Sequence, residues 1–317
     1  MKHINILKKK FTILKLGFGT CQIGGPTKFG KKQIGMGVQK RKDSIEAIKI
    51  AIAKGINFFD TADIYGHGKS EKLLGECIKN RNDIFICTKF GNRIIKGKYH
   101  FDSSPDYLIR SVKKSLLRLN QEYLDIILLH SPPSNIKLSK KFKETVLKFK
   151  NDNKINYFGI SFSTINDAIN FIKKDNTLDF IEIIYNLVDR RAEKLFKLCK
   201  KNNIKIIARM PLASGFLSKS SFNKSFKPND FRSNTDDQFL KWIKSIEKKI
   251  EDEFNSVDIR ELSLRYVLSM DDIFVVIPGM RNKYQVINNF ESFNKGSLSK
   301  VDIKKIEKLP ICYDGWK

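Results

Sequence analysis

Apolar residues along this chain come in short uninterrupted runs, separated by longer stretches of mixed polarity. The runs fall at 13–20, 56–62, 83–89, 123–130, 155–161, 179–185, 204–210 and 273–279. Each is rich in Ile, Phe or Val on consecutive positions, the pattern of a strand buried on both faces. Between the runs, apolar residues recur at helical spacing. DSIEAIKIAIAKG runs from an acidic cap candidate, Asp43, to a stop at Gly55. SPDYLIRSVKKSLLRLN offers Ser104 as N-cap and Pro105 at the first helical position. Further helices are predicted near 70–79, 140–152, 164–174, 190–202, 236–253, 258–269, 281–292 and 299–308.

Strands alternating with helices predict a parallel α/β fold, because parallel neighbours need crossover connections. Eight strands close a (β/α)8 TIM barrel of about this length; a doubly wound open sheet is the alternative. No low-complexity linker interrupts the alternation, so one domain spanning 1–317 is expected, with a long loop after strand seven and C-terminal helices. That loop, 211–256, carries FKPNDFRS at 226–233, a candidate lid over the mouth.

Composition narrows the partners. Sixty Lys and Arg against 34 Asp and Glu give a formal net charge of +26. The excess is scattered, with only short runs at Lys8 to Lys10 and at Lys200 and Lys201, and no basic stretch is interleaved with aromatics. A basic surface is therefore preferred to a dedicated nucleic-acid site, and the charge hints at a phosphorylated or carboxylated small molecule. Cys21, Cys77, Cys87, Cys199 and Cys312 contain no CxxC pair, which argues against a disulfide framework or structural zinc. The N-terminal apolar stretches are broken by lysines, a poor signal peptide, and no run is long enough to span a membrane. A reduced cytoplasmic location is expected, with oligomeric state open.

Polar residues close the strands. Asp60 ends strand two, Lys89 strand three, His130 strand four and Ser161 strand five. Phe58 and Ile56 precede Asp60 at the same parity, Cys87 and Phe85 precede Lys89, and Leu128 and Ile126 precede His130. Each strand would send an apolar column inward and finish it with one polar group at a common height. Tyr65 follows Asp60 by five residues. A free phenol titrates near 10, too high for proton exchange near neutrality, and an ammonium beside it would lower that value. Asp60 would hold Lys89 charged, Lys89 would tune Tyr65, and His130 would orient a carbonyl oxygen or relay its proton. With no activated nucleophile and no metal cluster, the electron pair would come from a hydride cofactor.

These residues lie in motifs that resemble the aldo-keto reductase family: FFDTADIYG followed by GKSEKLLGE, then ICTKFG, YLDIILLHSP, YFGIS, IIYNLVDRR, RMPLASGFLSK and VIPGMRNKYQVINNF, from Lys15 to Phe293. The resemblance implies a (β/α)8 barrel and NADPH (NADP+)-dependent reduction of an aldehyde, ketone or sugar-like carbonyl. It implies a tetrad of Asp60, Tyr65, Lys89 and His130, with Tyr65 as general acid. By the same similarity Ser161 bonds the nicotinamide carboxamide, Gly215, Leu217 and Ser218 lie along the pyrophosphate, and Gly279, Arg281, Gln285 and Asn289 hold the adenine end. Arg281 and Lys283 would suit a 2′-phosphate. Three positions depart from the family pattern: Phe162 stands where Asn is frequent, Glu182 where an amide is, and Arg209 where an aromatic stacks under the nicotinamide. Glu182 and Arg209 remain in the expected cofactor set, the guanidinium being planar enough to stack. A non-catalytic cofactor-binding subunit, a Lys89 Schiff-base aldolase and a nucleic-acid binder are the competing functions.

Other signals carry less. GFGTCQ lacks the third Gly of a dinucleotide fingerprint, and HGKS has Asp63 where a phosphate loop needs its first Gly. Phe222, Phe226, Phe231 and Trp242 either line a pocket or pin the long loop, and Trp316 either folds over the mouth or frays.

Overall fold

A computed structural model describes residues 3–5, 12–29, 32–34, 37–79, 81–95, 98–218, 226, 228, 230–254 and 257–310. Lys8 to Lys10, Phe222, Cys312 and Trp316 lie outside the described residues. Eight parallel strands form the barrel: β1 (Phe18–Gly19), β2 (Phe58–Asp60), β3 (Phe85–Phe90), β4 (Leu124–His130), β5 (Ile155–Ser161), β6 (Phe180–Ile184), β7 (Lys205–Arg209) and β8 (Ile273–Ile277). Neighbours in sequence are neighbours in space. The ring closes where Leu16 bridges Val276 and Gly19 bridges Gly279, with Gly17 N donating to Val276 O at 2.8 Å.

The helices are α1 (Arg41–Ala53), α2 (Lys69–Cys77), α3 (Pro105–Leu119), α4 (Lys140–Asn151), α5 (Ile165–Ile172), α6 (Glu193–Lys201), α7 (Asp237–Glu253), α8 (Ile259–Ser269), α9 (Lys283–Asn294) and α10 (Lys300–Glu307). Ser104 caps α3 as expected, its Oγ accepting from Tyr107 N at 3.2 Å. Asp43 does not cap α1. That helix begins two residues earlier, after Lys40, and has no side-chain cap.

The first expected strand divides. Thr12–Leu14 pairs antiparallel with His3–Asn5, and only the stretch from Leu16 to Gly19 joins the barrel. Two hairpins were not foreseen, Thr27–Phe29 with Lys32–Ile34 and Asn92–Ile95 with Lys98–Phe101. In the long interval after β7, Phe216 contacts Phe226 at 5.9 Å and Phe239 at 5.2 Å, and Phe239 contacts Trp242 at 5.9 Å. Phe226 and Trp242 therefore pin this segment. No helix among the described residues is long and apolar enough to cross a membrane.

Strand parity divides the core. Phe58, Phe85, Cys87, Ile126, Leu128, Phe180, Ile207 and Val275 fill the barrel, with Tyr157 packed against them. The alternate residues Phe59, Ile86, Ile127, Leu129, Ile181, Ile206 and Val276 meet the helices. Ile56 is a correction: it precedes β2 and packs in the outer layer. Inside, five rings form a closed circuit. Phe58 meets Phe85 at 5.5 Å, Phe85 meets Tyr157 at 6.4 Å, and Tyr157 meets Phe180 at 5.4 Å. Phe180 then meets Phe274 at 5.3 Å, and Phe274 returns to Phe58 at 6.5 Å. This aromatic layer is the floor beneath the polar strand ends. Phe180→Ala is expected to cost about 3–5 kcal/mol of stability in denaturant unfolding, with Phe180→Leu costing less.

Candidate active site

Asp60 and Lys89 are brought together by register. Asp60 pairs with Cys87 across β2 and β3, so Lys89 stands two residues further along, on the same inward parity. Its Nζ lies 2.5 Å from both Asp60 carboxylate oxygens and 3.1 Å from Thr61 O. A second carboxylate, Glu182, comes within 3.1 Å. All three side chains are buried. Burial alone would lower the Lys89 pKa, but Asp60 and then Glu182 outweigh it and hold the ammonium well above its ordinary value. Asp60 is pushed up to about 8 by burial and by Glu182, against the pull of Lys89. Two carboxylates crowd one ammonium, and their mutual repulsion is part of what raises the Asp60 carboxyl. Asp60, Cys87 and Glu182 offer donor atoms within 4.8 Å of one another, but the ammonium rests against both carboxylates.

Tyr65 sits on a tightly tied loop. Gly66 has φ +60°, and a Cβ there would come 2.2 Å from Gly24 O. Gly66 N donates to Thr27 Oγ1 at 3.0 Å. Thr61 Oγ1 donates to Ser70 Oγ at 3.1 Å, and Ser70 Oγ contacts Thr20 Oγ1 at 2.8 Å. So fixed, the Tyr65 ring stands edge-on to His130 at 5.8 Å, with Lys89 Nζ 5.4 Å from its centroid. The expected direction of tuning is reversed: burial pushes the phenol well above 10, and Lys89 only partly offsets it. Burial, then Lys89 and Arg209, drive His130 well below 6.5, leaving a neutral imidazole whose Nδ1 has no hydrogen-bond partner.

The expected common height of the strand ends is a staircase along the ladder. Asp60 is level with Cys87 and Lys89 with Leu128, while His130 is level with Ser161 and Ser161 with Glu182. Strand tilt takes up part of these steps and gathers the side chains. Ser161 Oγ donates to Glu182 Oε1 at 3.0 Å, and Arg209 Nε approaches the same oxygen at 3.8 Å. Arg209 Nη2 donates to Phe162 O at 3.3 Å. The Phe162 ring packs outward on Phe171 at 5.9 Å. Glu182 Oε2 and Arg209 Nε are buried without hydrogen bonds, an acceptor and a donor at the mouth.

The remaining expected residues lie in the segment after β7 and beyond the end of β8. Gly215 turns with φ +90° and Ser218 Oγ donates to its carbonyl at 2.7 Å, while Leu217 is wholly buried. Gly279 lies at the barrel seam, where a Cβ would come 2.2 Å from Gln22 Nε2. Arg281 N donates to Gln285 Oε1 at 2.9 Å, and Arg260 Nη1 donates to Asn289 Oδ1 at 3.4 Å. Lys283 pairs with Glu46 at 3.3 Å. Burial, then Arg232, lower the Arg281 pKa, with Asp230 opposing them, and Asp230 pairs with Arg232 at 2.7 Å in the long segment. Sequence reasoning missed Cys21. Burial pushes its thiol up to about 11, and Lys89, Asp60, Glu182 and Arg209 all act on it. Its place just beyond β1 was the available signal.

The profile of the Aldo/keto reductase family matches residues 15–311. The chain belongs to the aldo-keto reductase family, a family of oxidoreductases that use nicotinamide cofactors. It is 31% identical over 302 residues to the uncharacterized oxidoreductase YqkF of Bacillus subtilis, covering 92% of this chain and 94% of that one. Its fold superposes on the holo form of aldo-keto reductase AKR11C1 from Bacillus halodurans with a TM-score of 0.80 at 26% identity, over 99% of both chains. An aldo-keto reductase from Klebsiella pneumoniae, solved in complex with NADPH, matches at TM-score 0.69 and 20% identity, over 96% of this chain and 94% of that one, a likeness of fold alone.

The depressed His130 pKa has a stability consequence. Stability held by the neutral imidazole is fully present above about 6.5 and is lost as pH falls from there through the depressed folded-state value. His130→Gln is expected to lose less stability than the parent between about pH 7.5 and about pH 5. Parallel pH profiles of unfolding would contradict a neutral His130 in the folded chain.

Proposed function

We propose that this chain is an NADPH-dependent reductase of an aldehyde, ketone or sugar-like carbonyl, with Tyr65 as general acid. The observation that carries this reading is the arrangement around Tyr65: His130 at its edge at 5.8 Å, Lys89 at 5.4 Å, and Asp60 bound to Lys89 at 2.5 Å. When bound, the reduced nicotinamide supplies a hydride to the carbonyl carbon. Tyr65 delivers its phenolic proton to the oxygen as negative charge develops there. Neutral His130 donates one N–H toward the same oxygen and orients it. Lys89, kept charged by its carboxylates, stabilises the phenolate left behind.

The mouth fits such a cofactor. Arg209 Nε presents an unbonded donor that matches the C=O of a carboxamide, while Glu182 Oε2, ion-paired to Lys89 at 3.1 Å, stands beside it as the acceptor side of the mouth. Ser161, Glu182 and Arg209 would hold that group. Gly215, Leu217 and Ser218 would follow the pyrophosphate, and Gly279, Arg281, Gln285 and Asn289 the adenine end. Arg281 and Lys283 would meet the 2′-phosphate. The four described cysteines are free thiols, which favours a reducing, cytoplasmic setting. The net charge of +26 favours a substrate bearing phosphate or carboxylate.

The test is oxidation of NADPH, with NADH in parallel, against a panel of aldehydes, ketones and sugar phosphates. Tyr65→Phe is expected to reduce kcat by about a thousandfold or more while cofactor still binds; unchanged turnover refutes its role. Cofactor binding without oxidation over the whole panel would instead support the non-catalytic subunit. Because burial holds the phenol protonated, reduction should exceed alcohol oxidation at neutral pH, and oxidation should climb as pH rises. An oxidation rate that peaks below neutrality would contradict this.

A further inference from the structure

Glu182 stands between the two cations of the mouth. Oε2 lies 3.1 Å from Lys89 Nζ, and Oε1 lies 3.8 Å from Arg209 Nε while accepting from Ser161 at 3.0 Å. With Asp60, it makes Lys89 an ammonium with two counter-ions. We propose that Glu182 is a positioning residue for proton transfer: a second anion on Lys89, it offsets the ammonium's field at Tyr65 and keeps the phenol in its proton-donating form. This rests on the reading of Tyr65 as proton donor and adds what sets its protonation.

The other groups facing this cluster come from every neighbouring element. Cys21 follows β1, Asp60 ends β2, Cys87 and Lys89 lie on β3, His130 ends β4 and Arg209 ends β7. Burial raises both thiols, the Cys21 thiol to about 11 and the Cys87 thiol well above its ordinary value, and His130 is driven neutral. The charges in play are thus Lys89 and Arg209 against Asp60 and Glu182. Asp60 binds Lys89 through both oxygens, whereas Glu182 divides its contacts between Lys89 and Arg209. Neutralising Glu182 leaves Lys89 with one counter-ion and exposes Tyr65 to more of its field.

The sign follows. Removing an anion near a phenol favours the phenolate, so the Glu182→Gln phenol ionises at lower pH. At an effective dielectric of about 20, a unit charge on the order of 10 Å away gives a shift on the order of one pH unit. The experiment is an ultraviolet tyrosinate titration of the full chain, with the Tyr65 signal isolated by subtracting the Tyr65→Phe spectrum in each background. The Glu182→Gln protein should ionise Tyr65 about one pH unit earlier than the parent, and Glu182→Asp by an intermediate amount. The alkaline limb of carbonyl reduction should move by the same shift. Should Glu182→Gln not fold, Glu182→Asp, whose shorter carboxylate withdraws from Lys89, carries the test. Unchanged Tyr65 ionisation in the variant that folds means that Arg209 alone neutralises Glu182, and overturns the proposal. The titration needs no turnover, so a parent inactive on every carbonyl would sink the reductase reading and leave this inference to be judged on absorbance.

Discussion

A lysine ammonium buried in the throat of a barrel is the constraint around which the rest is arranged. Lys89 has no exposed surface, and an isolated ammonium there would shed its proton. Asp60 at 2.5 Å and Glu182 at 3.1 Å prevent that. Their placement demands the register of β2 against β3 and the sequence of strand ends running to β6. It also demands that the loop bearing Tyr65 be tied down, which the Gly24–Gly66 contact and the Thr20, Thr61 and Ser70 hydroxyls accomplish. Loosening the β2–β3 register would leave a buried charge short of its partners.

Much of this was readable in the residues because parallel barrel strands leave a plain trace. Each is buried on both faces, so it appears as an unbroken apolar run, and its polar terminus stands out. Asp60, Lys89, His130 and Ser161 were found in that way. Ser104 and Pro105 marked α3 because capping chemistry is local. Asp43 misled for the complementary reason: an acidic residue is as favourable within the first turn as at the cap, and α1 begins before it.

What stayed hidden depends on distance in space. Nothing in the run 13–20 tells that its first half pairs with His3–Asn5 and its last few residues close the barrel. The direction of the Tyr65 shift is a contest between burial and one ammonium, and burial was not available from spacing. Glu182 and Arg209 looked like two separate oddities, 27 positions apart by their numbering. Across β6 and β7 they are near neighbours of opposite charge. Their pairing keeps two carboxylates beside Lys89 from standing as unbalanced negative charge, a compensation visible only once the strands are side by side.

The circuit of Phe58, Phe85, Tyr157, Phe180 and Phe274 reaches beyond stability. Two of its contacts lie near parallel and three stand edge to face, so a largely apolar plug underlies the polar strand ends. Such a plug gives Lys89, Asp60 and Tyr65 little means of exchanging protons except by way of the mouth at the strand ends. A molecule seated in that mouth would slow the exchange and preserve the ionisation state it met on arrival.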